Sequence, residues 1–149
     1  MTFLDLVKSR RSIRKYTERQ ISRADMEKII EVGAYAPNAG GGQRSMMVAV
    51  HDTALTAKLG RMNLAKFSRA NLAGSYVSAE QPSVIDNPNM KSGFYGAPTV
   101  VCIFCQDDFL FKVADAFCIA ENMILQATEL GISSCIISRG QETFDSEEG

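Results

Sequence analysis

The chain has 149 residues, 46% of them apolar and 22% charged, with 16 basic residues against 17 acidic ones. That balance excludes a general polyanion binder, and 11 glycines with 4 prolines exclude collagen-like and low-complexity chains. A chain of this length buries enough surface to hold a core without staples and is expected to form one domain over residues 1–149. The longest apolar run, Val100 to Cys105, is far short of a bilayer span. The first eleven residues read as an amphipathic helix, not as a secretion signal, so a cytoplasmic location with reduced thiols is expected.

Taken in order, Thr2 to Ser9 predicts a short helix capped by Thr2, with Phe3, Leu6 and Val7 at helical spacing. Ser22 and Asp25 form a capping-box pattern ahead of a second helix carrying Met26, Ile29, Ile30 and Gly33 on one face. That helix must stop before Pro37, because the residue before a proline avoids the α region. Asn38 to Gln43 reads as a glycine-rich loop and Met46 to Val50 as a strand. Thr53 to Phe67 predicts a third helix with Leu55, Leu59 and Met62 inside. Residues 70–96 hold scattered Gly, Pro and Asn and predict a long irregular excursion, the natural place for a lid or binding segment.

Pro98 to Cys105 is the second predicted strand. Asp107 or Asp108 is expected to cap a long helix reaching Leu130. Val113, Phe117, Ala120, Ile124 and Ala127 line one side of that helix, and Ala116, Ile119, Met123 and Leu130 much of the rest. A helix apolar on more than one face must be covered on more than one face, by its own domain or by a partner subunit. Gly131 should end it, and Ile132 to Ser138 predicts a third strand. Alternating strands and helices point to a mixed α/β or α+β layered fold.

Cys102 and Cys105 have a C-x-x-C spacing, but positions three apart on a strand face opposite sides. They read as structural thiols, with no metal site implied. His51, the sole histidine, reads as a hydrogen-bonded residue more than as a general base. No Ser-His-Asp set or carboxylate pair is legible, so an enzyme built from this chain would lean on a bound cofactor.

Two segments carry the remaining chemistry. The first 23 residues hold seven basic residues against two acids, concentrated in Arg10-Arg11-Ser12-Ile13-Arg14, while the last ten hold four acids and no base. Guanidinium forks and a hydroxyl suit an anionic ligand; a solvated helix end or a nucleic-acid contact would use the same residues. The second segment is Ala36-Pro37-Asn38-Ala39-Gly40-Gly41-Gly42-Gln43, where three glycines allow backbone to lie against a flat ligand or simply form a flexible turn. It fits neither the Walker nor the G-x-G-x-x-G pattern.

Arg10-Arg11-Ser12-x-Arg14-x-Tyr16, then Ala36-Pro37-Asn38 with its small-residue loop and Gln43, then Leu130-Gly131 through Ser138, occur in that order. Together they resemble the nitroreductase family of FMN-dependent oxidoreductases over nearly the whole chain. The resemblance implies an α+β fold, with a central mixed sheet flanked by helices, in an intertwined homodimer holding FMN at its interface. It carries Arg10, Ser12, Arg14 and, less directly, Arg11 to the phosphate, ribityl chain and N1/O2 edge of the flavin. Pro37, Asn38, Ala39 and Gln43 go to the loop supplied by the partner subunit, and Ile137, Ser138 and Arg139 to backbone near N5. The implied reaction passes a hydride from NADH or NADPH through flavin N5 to a small acceptor such as a nitroaromatic, quinone or enone. A flavin-binding protein without turnover is the alternative. Two departures stand out. Gly40-Gly41-Gly42 replaces a loop that usually carries a polar side chain. Family chains also continue past the position of Gly149 with a further strand and phosphate-binding basic residues, so residues up to Gly149 alone are expected to hold FMN more weakly.

Overall fold

The computed structural model describes residues 1–66 and 89–149. Local capping chemistry sets the early elements. Thr2 Oγ1 accepts the Asp5 N–H at 3.2 Å while Asp5 Oδ2 accepts the Thr2 N–H at 3.0 Å, a reciprocal box that opens α1, Phe3–Ser9. Ser22 Oγ accepts the Asp25 N–H at 3.0 Å and opens α2, Arg23–Ala34. Here the Asp25 carboxylate takes the Ser22 hydroxyl at 2.7 Å, so one half of the expected reciprocal pair forms. The helix stops at Tyr35, two residues ahead of Pro37, as the proline requires.

Strands β1, Ser45–Val50, and β2, Val100–Cys105, form a two-stranded antiparallel sheet running from the Ser45–Cys105 pair to the Val50–Val100 pair. Cys102 and Cys105 lie on opposite faces, as their spacing demands. Cys102 is buried, and Cys105 Sγ shares a 3.1 Å hydrogen bond with Ser45 Oγ. All four thiols are free, and no metal-binding cluster exists among the described residues.

Between the strands runs α3, Thr53–Ala65, capped by Asp52, whose Oδ1 accepts the Leu55 N–H at 2.7 Å. Its inner face differs from the expected one. Thr56, Leu59, Gly60 and Asn63 are buried, whereas Leu55 is exposed and Met62 half-buried. The helix is rotated because Gly60 admits the backbone of residues 92–93 at close range: the Gly93 N–H donates to the Gly60 carbonyl at 2.9 Å. The excursion expected over 70–96 lies outside the described residues as far as residue 88. Residues 93–96 form a turn, with Tyr95 and Gly96 both at positive φ.

Helix α4, Lys112–Glu129, begins later than expected and Phe111 takes the cap position without a side-chain bond. Neither aspartate is available as a cap. Asp107 pairs with the Lys112 ammonium, and Asp108 Oδ1 accepts from Gln106 Nε2 at 2.7 Å. Its end is as expected. Gly131 adopts φ +70°, its N–H donates to Thr128, and the Ile132 N–H donates to Ala127 at 2.8 Å, completing a Schellman turn.

Ile29 and Ala36 from the α2 side, with Ile119, Met123 and Ala127 of α4, make the buried cluster, and Met47, Val101 and Ile103 of the sheet pack against it. Each isoleucine, valine or methionine there contributes about 1.5–3 kcal/mol on full burial, and each alanine less. Gly33 sits at the α2–α4 crossing, where a Cβ would lie 2.7 Å from Met47 Sδ and 2.8 Å from Met123 Cγ. The other side of α4 stays open: Val113 and Phe117 are exposed, as are Phe3 and Leu4 of α1.

Ile132 to Ser138 does not form the expected third strand. It makes one parallel bridge, Ser134 with Ser12, and the Ile13 N–H donates to the Ser134 carbonyl at 2.9 Å. A ladder needs a partner edge over several residues, and the chain around Ser12 offers a single point of register. A short helix α5, Gln141–Phe144, follows, and Phe144 meets Phe104 edge-on at 5.1 Å between ring centroids on the outer face of the sheet.

Candidate functional site

The Ser12–Ser134 bridge places the basic segment beside Cys135. The Ser12 hydroxyl and the Arg14 and Arg10 charges act on the Cys135 thiol, whose Sγ donates to the Ile136 carbonyl at 3.5 Å. Arg14 also reaches Tyr95, with its guanidinium carbon 5.9 Å from the ring centroid. Tyr16 completes the group, within electrostatic range of Cys135, Arg14 and Tyr95. The cluster is therefore Arg10, Ser12, Arg14, Tyr16, Tyr95 and Cys135. Neither Arg10 nor Arg14 has an acidic partner among the described residues.

The titration behaviour follows from partial burial around fixed cations. Burial pushes the Tyr16 phenol up to about 12, with Cys135 adding to the rise and Arg14 opposing it. Burial raises Tyr95 as well, again against Arg14. Cys135 is raised by burial while Arg14, the Ser12 hydroxyl and Arg10 pull it down. All three groups thus stay neutral at pH 7 beside two permanent cations, so the cluster carries net positive charge.

Arg11 stands apart from this cluster. Its Nη1 donates to the Lys8 and Arg10 carbonyls, each at 2.7 Å, closing the end of α1.

The glycine loop hangs from the start of α4. The Ala39 N–H donates to Asp115 Oδ1 at 3.0 Å, and Asn38 Oδ1 accepts the Gln43 N–H at 2.9 Å. Gly40 and Gly41 take φ +65° and +63° with open space where a Cβ would stand, so their backbone is presented outward. Arg44 braces the loop from below, over the Phe109 ring at 4.6 Å and donating to the Ala39 carbonyl. Pro37, Asn38, Ala39 and Gln43 are thus held together at one end of α4. Ser12 bridges to Ser134, five residues past the other end of α4, a helix about 27 Å long. Among the described residues no hydrogen bond or ion pair joins the two groups.

Ile137, Ser138 and Arg139 continue directly from Cys135. The Arg139 carbonyl accepts from Asn63 Nδ2 at 2.8 Å, and its guanidinium grips Glu142. His51 is a hydrogen-bonded residue, as expected. Its Nδ1 lies 3.1 Å from Thr99 Oγ1, and its carbonyl accepts from Gln20 Nε2 at 2.9 Å.

Charge spacing singles out the arginines and the serine, while Tyr95 and Cys135 beside them, and Asp115 and Asn63 elsewhere, are not singled out by the sequence. Asp115 carried a faint signal, an acid on the first turn of an otherwise apolar helix.

Residues 7–143 match the Nitroreductase family, and the chain belongs to it. It is 32% identical over 137 residues to a protein of Archaeoglobus fulgidus assigned the name NADH dehydrogenase/NAD(P)H nitroreductase. That match takes in 88% of this chain and 64% of the relative, so the chain spans less than two thirds of that protein's length. Among solved structures it resembles a nitroreductase with bound FMN from Bacteroides fragilis, at 31% identity and a TM-score of 0.80, over 99% of this chain and 75% of the other. An FMN-dependent nitroreductase from Clostridium difficile aligns at 30% identity with a TM-score of 0.71, over 91% of this chain and 60% of the other. The helices and small sheet described above are the α+β fold of these proteins.

Proposed function

We propose that this chain forms an FMN-dependent oxidoreductase that draws electrons from NADH or NADPH and delivers them to a small acceptor of the nitroaromatic, quinone or enone class. The observation that carries the reading is the uncompensated pair Arg10 and Arg14, set with Ser12 among neutral, half-buried groups. FMN has a dianionic phosphate and a polar ring edge that gains charge on reduction, and this donor set fits both. When bound, FMN supplies the two-electron hydride chemistry.

The protein's own part is binding and orientation. Arg10 and Ser12 serve the phosphate and ribityl chain, and Arg14 serves the N1/O2 edge. The Ile137–Arg139 backbone stands toward N5. Pro37, Asn38, Ala39 and Gln43 belong to the opposite wall. Because that loop and the Ser12 bridge stand at opposite ends of α4, the reading requires the loop of a second copy, hence a homodimer. The open apolar residues Val113 and Phe117 of α4, with Phe3 and Leu4 of α1, support such a contact. Residues 1–149 act as one nitroreductase-like unit in this reading. Free thiols throughout, and no helix long and apolar enough to cross a membrane among the described residues, accord with a cytoplasmic protein.

The test is the visible spectrum of the purified chain after incubation with FMN. Flavin absorbance that bleaches under NADH or NADPH without oxygen, and returns on adding a quinone, is the expected result. Uptake without bleaching leaves a flavin-binding protein without turnover, and failure to take up FMN rejects the reading.

A further inference from the structure

Two side-chain polar atoms among the described residues are buried without a hydrogen-bond partner, Asn63 Oδ1 and Thr143 Oγ1. Folded proteins keep few such atoms, so each asks for a reason. Asn63 has one in its surroundings. Its Nδ2 donates to the Arg139 carbonyl at 2.8 Å, which fixes the amide's orientation. Its Oδ1 then occupies the space in front of Gly93, where a Cβ would stand only 2.0 Å away. Gly93 is itself tied to α3 through its 2.9 Å bond to the Gly60 carbonyl, and a Cβ on Gly60 would stand 2.0 Å from Ser92 Oγ. Two missing side chains therefore let residues 92–93 lie directly on α3, with Asn63 wedged between them and Arg139. Phe94, 4% exposed, locks that segment, and the next residue is Tyr95, which receives Arg14.

An apolar side chain of the same size would remove the stranded Oδ1 but also take the amide donor from the Arg139 carbonyl, so the asparagine is kept for its hold on that backbone. We infer that Asn63 is a positioning residue, holding the Ile137–Arg139 backbone in register with the Arg14–Tyr95 pair while touching no ligand; the inference rests on the FMN reading above. Loss of the amide would let the two walls of the site shift against each other.

The experiment compares the full chain with Asn63→Leu and Thr143→Val. Thr143→Val removes the other stranded atom and serves as the control. FMN affinity is read by fluorescence quenching, flavin geometry by visible circular dichroism, and the ligand-free chains by hydrogen exchange and thermal unfolding. Asn63→Leu is expected to weaken FMN at least tenfold and alter the dichroism. It should raise exchange at 92–96 and 137–141 together while the chain stays folded. Thr143→Val is expected to leave affinity within twofold. Asn63→Leu with wild-type affinity and exchange, or Thr143→Val with an equal loss, overturns the inference. Where Asn63→Leu does not fold, Gly93→Ala presses on the Asn63 oxygen and must give the same loss; unchanged FMN binding in that variant overturns it. A wild-type chain that takes up no FMN instead overturns the flavin reading and the ligand half of this inference with it.

Discussion

Replacing Asp115 by alanine probes how the glycine loop is held. The carboxylate lies in the first turn of α4, is 5% exposed, and accepts the Ala39 N–H at 3.0 Å. A hydrogen bond to a charged, buried acceptor is worth about 1.5–3 kcal/mol. An acid at a helix N-terminus adds about 0.3–1 kcal/mol. Asp115→Ala should therefore cost about 2–4 kcal/mol, a large share of the roughly 5–15 kcal/mol that holds a domain together. Asp115→Asn keeps an acceptor oxygen in place and loses only the charge, and should cost about 1 kcal/mol. Urea unfolding measures both. Limited proteolysis supplies a local readout, since the loop at 39–43 should be cut sooner in the alanine variant than the helices are. Equal costs for alanine and asparagine, or an alanine variant within about 0.5 kcal/mol of wild type, would refute the idea that this carboxylate fastens the loop.

Other outcomes follow from the same geometry. Arg14→Ala should weaken FMN binding at least about tenfold, roughly 1.4 kcal/mol, whereas Arg11→Ala, whose guanidinium serves the end of α1, should stay within twofold in the same titration. Gly131→Ala places a side chain at φ +70° and should cost about 1–2 kcal/mol in thermal unfolding, with Gly131→Asn costing less. Burial raises the Cys102 thiol from 9.0 to about 11. The folded state therefore keeps a proton that the unfolded chain loses, so stability holds below pH 9 and falls between pH 9 and 11. Cys102→Ala should flatten that part of the alkaline profile in pH-dependent urea melts; an unchanged slope would assign the loss to other groups.

Much of the architecture was legible because local chemistry decides it. Thr2, Ser22 and Gly131 mark helix ends through bonds made within a few residues. Elements decided by distant partners were misread. The inner face of α3 depends on Gly60 meeting residues more than thirty positions later, so the apolar Leu55 is exposed and the polar Thr56 and Asn63 are buried. Asp107 and Asp108 look like caps in one dimension, yet Lys112 and Gln106 claim them first. Ile132 to Ser138 has strand composition, and composition does not reveal whether an edge is there to receive it. The site divides the same way. Arg10, Ser12 and Arg14 stand out by charge density, but nothing in their order separates them from Arg11, which turns back on its own helix. Tyr95 and Cys135 join only through the fold.

The single bridge between Ser12 and Ser134 has a consequence for biosynthesis. Residues 10–14 gain the company of Cys135 only once residue 135 has left the ribosome, long after they themselves have emerged. The opening helix and its arginines must wait, solvated and unpaired, while the middle of the chain folds ahead of them. Nascent chains halted before that point would lack the Ser12–Ser134 bridge, however well their helices had formed.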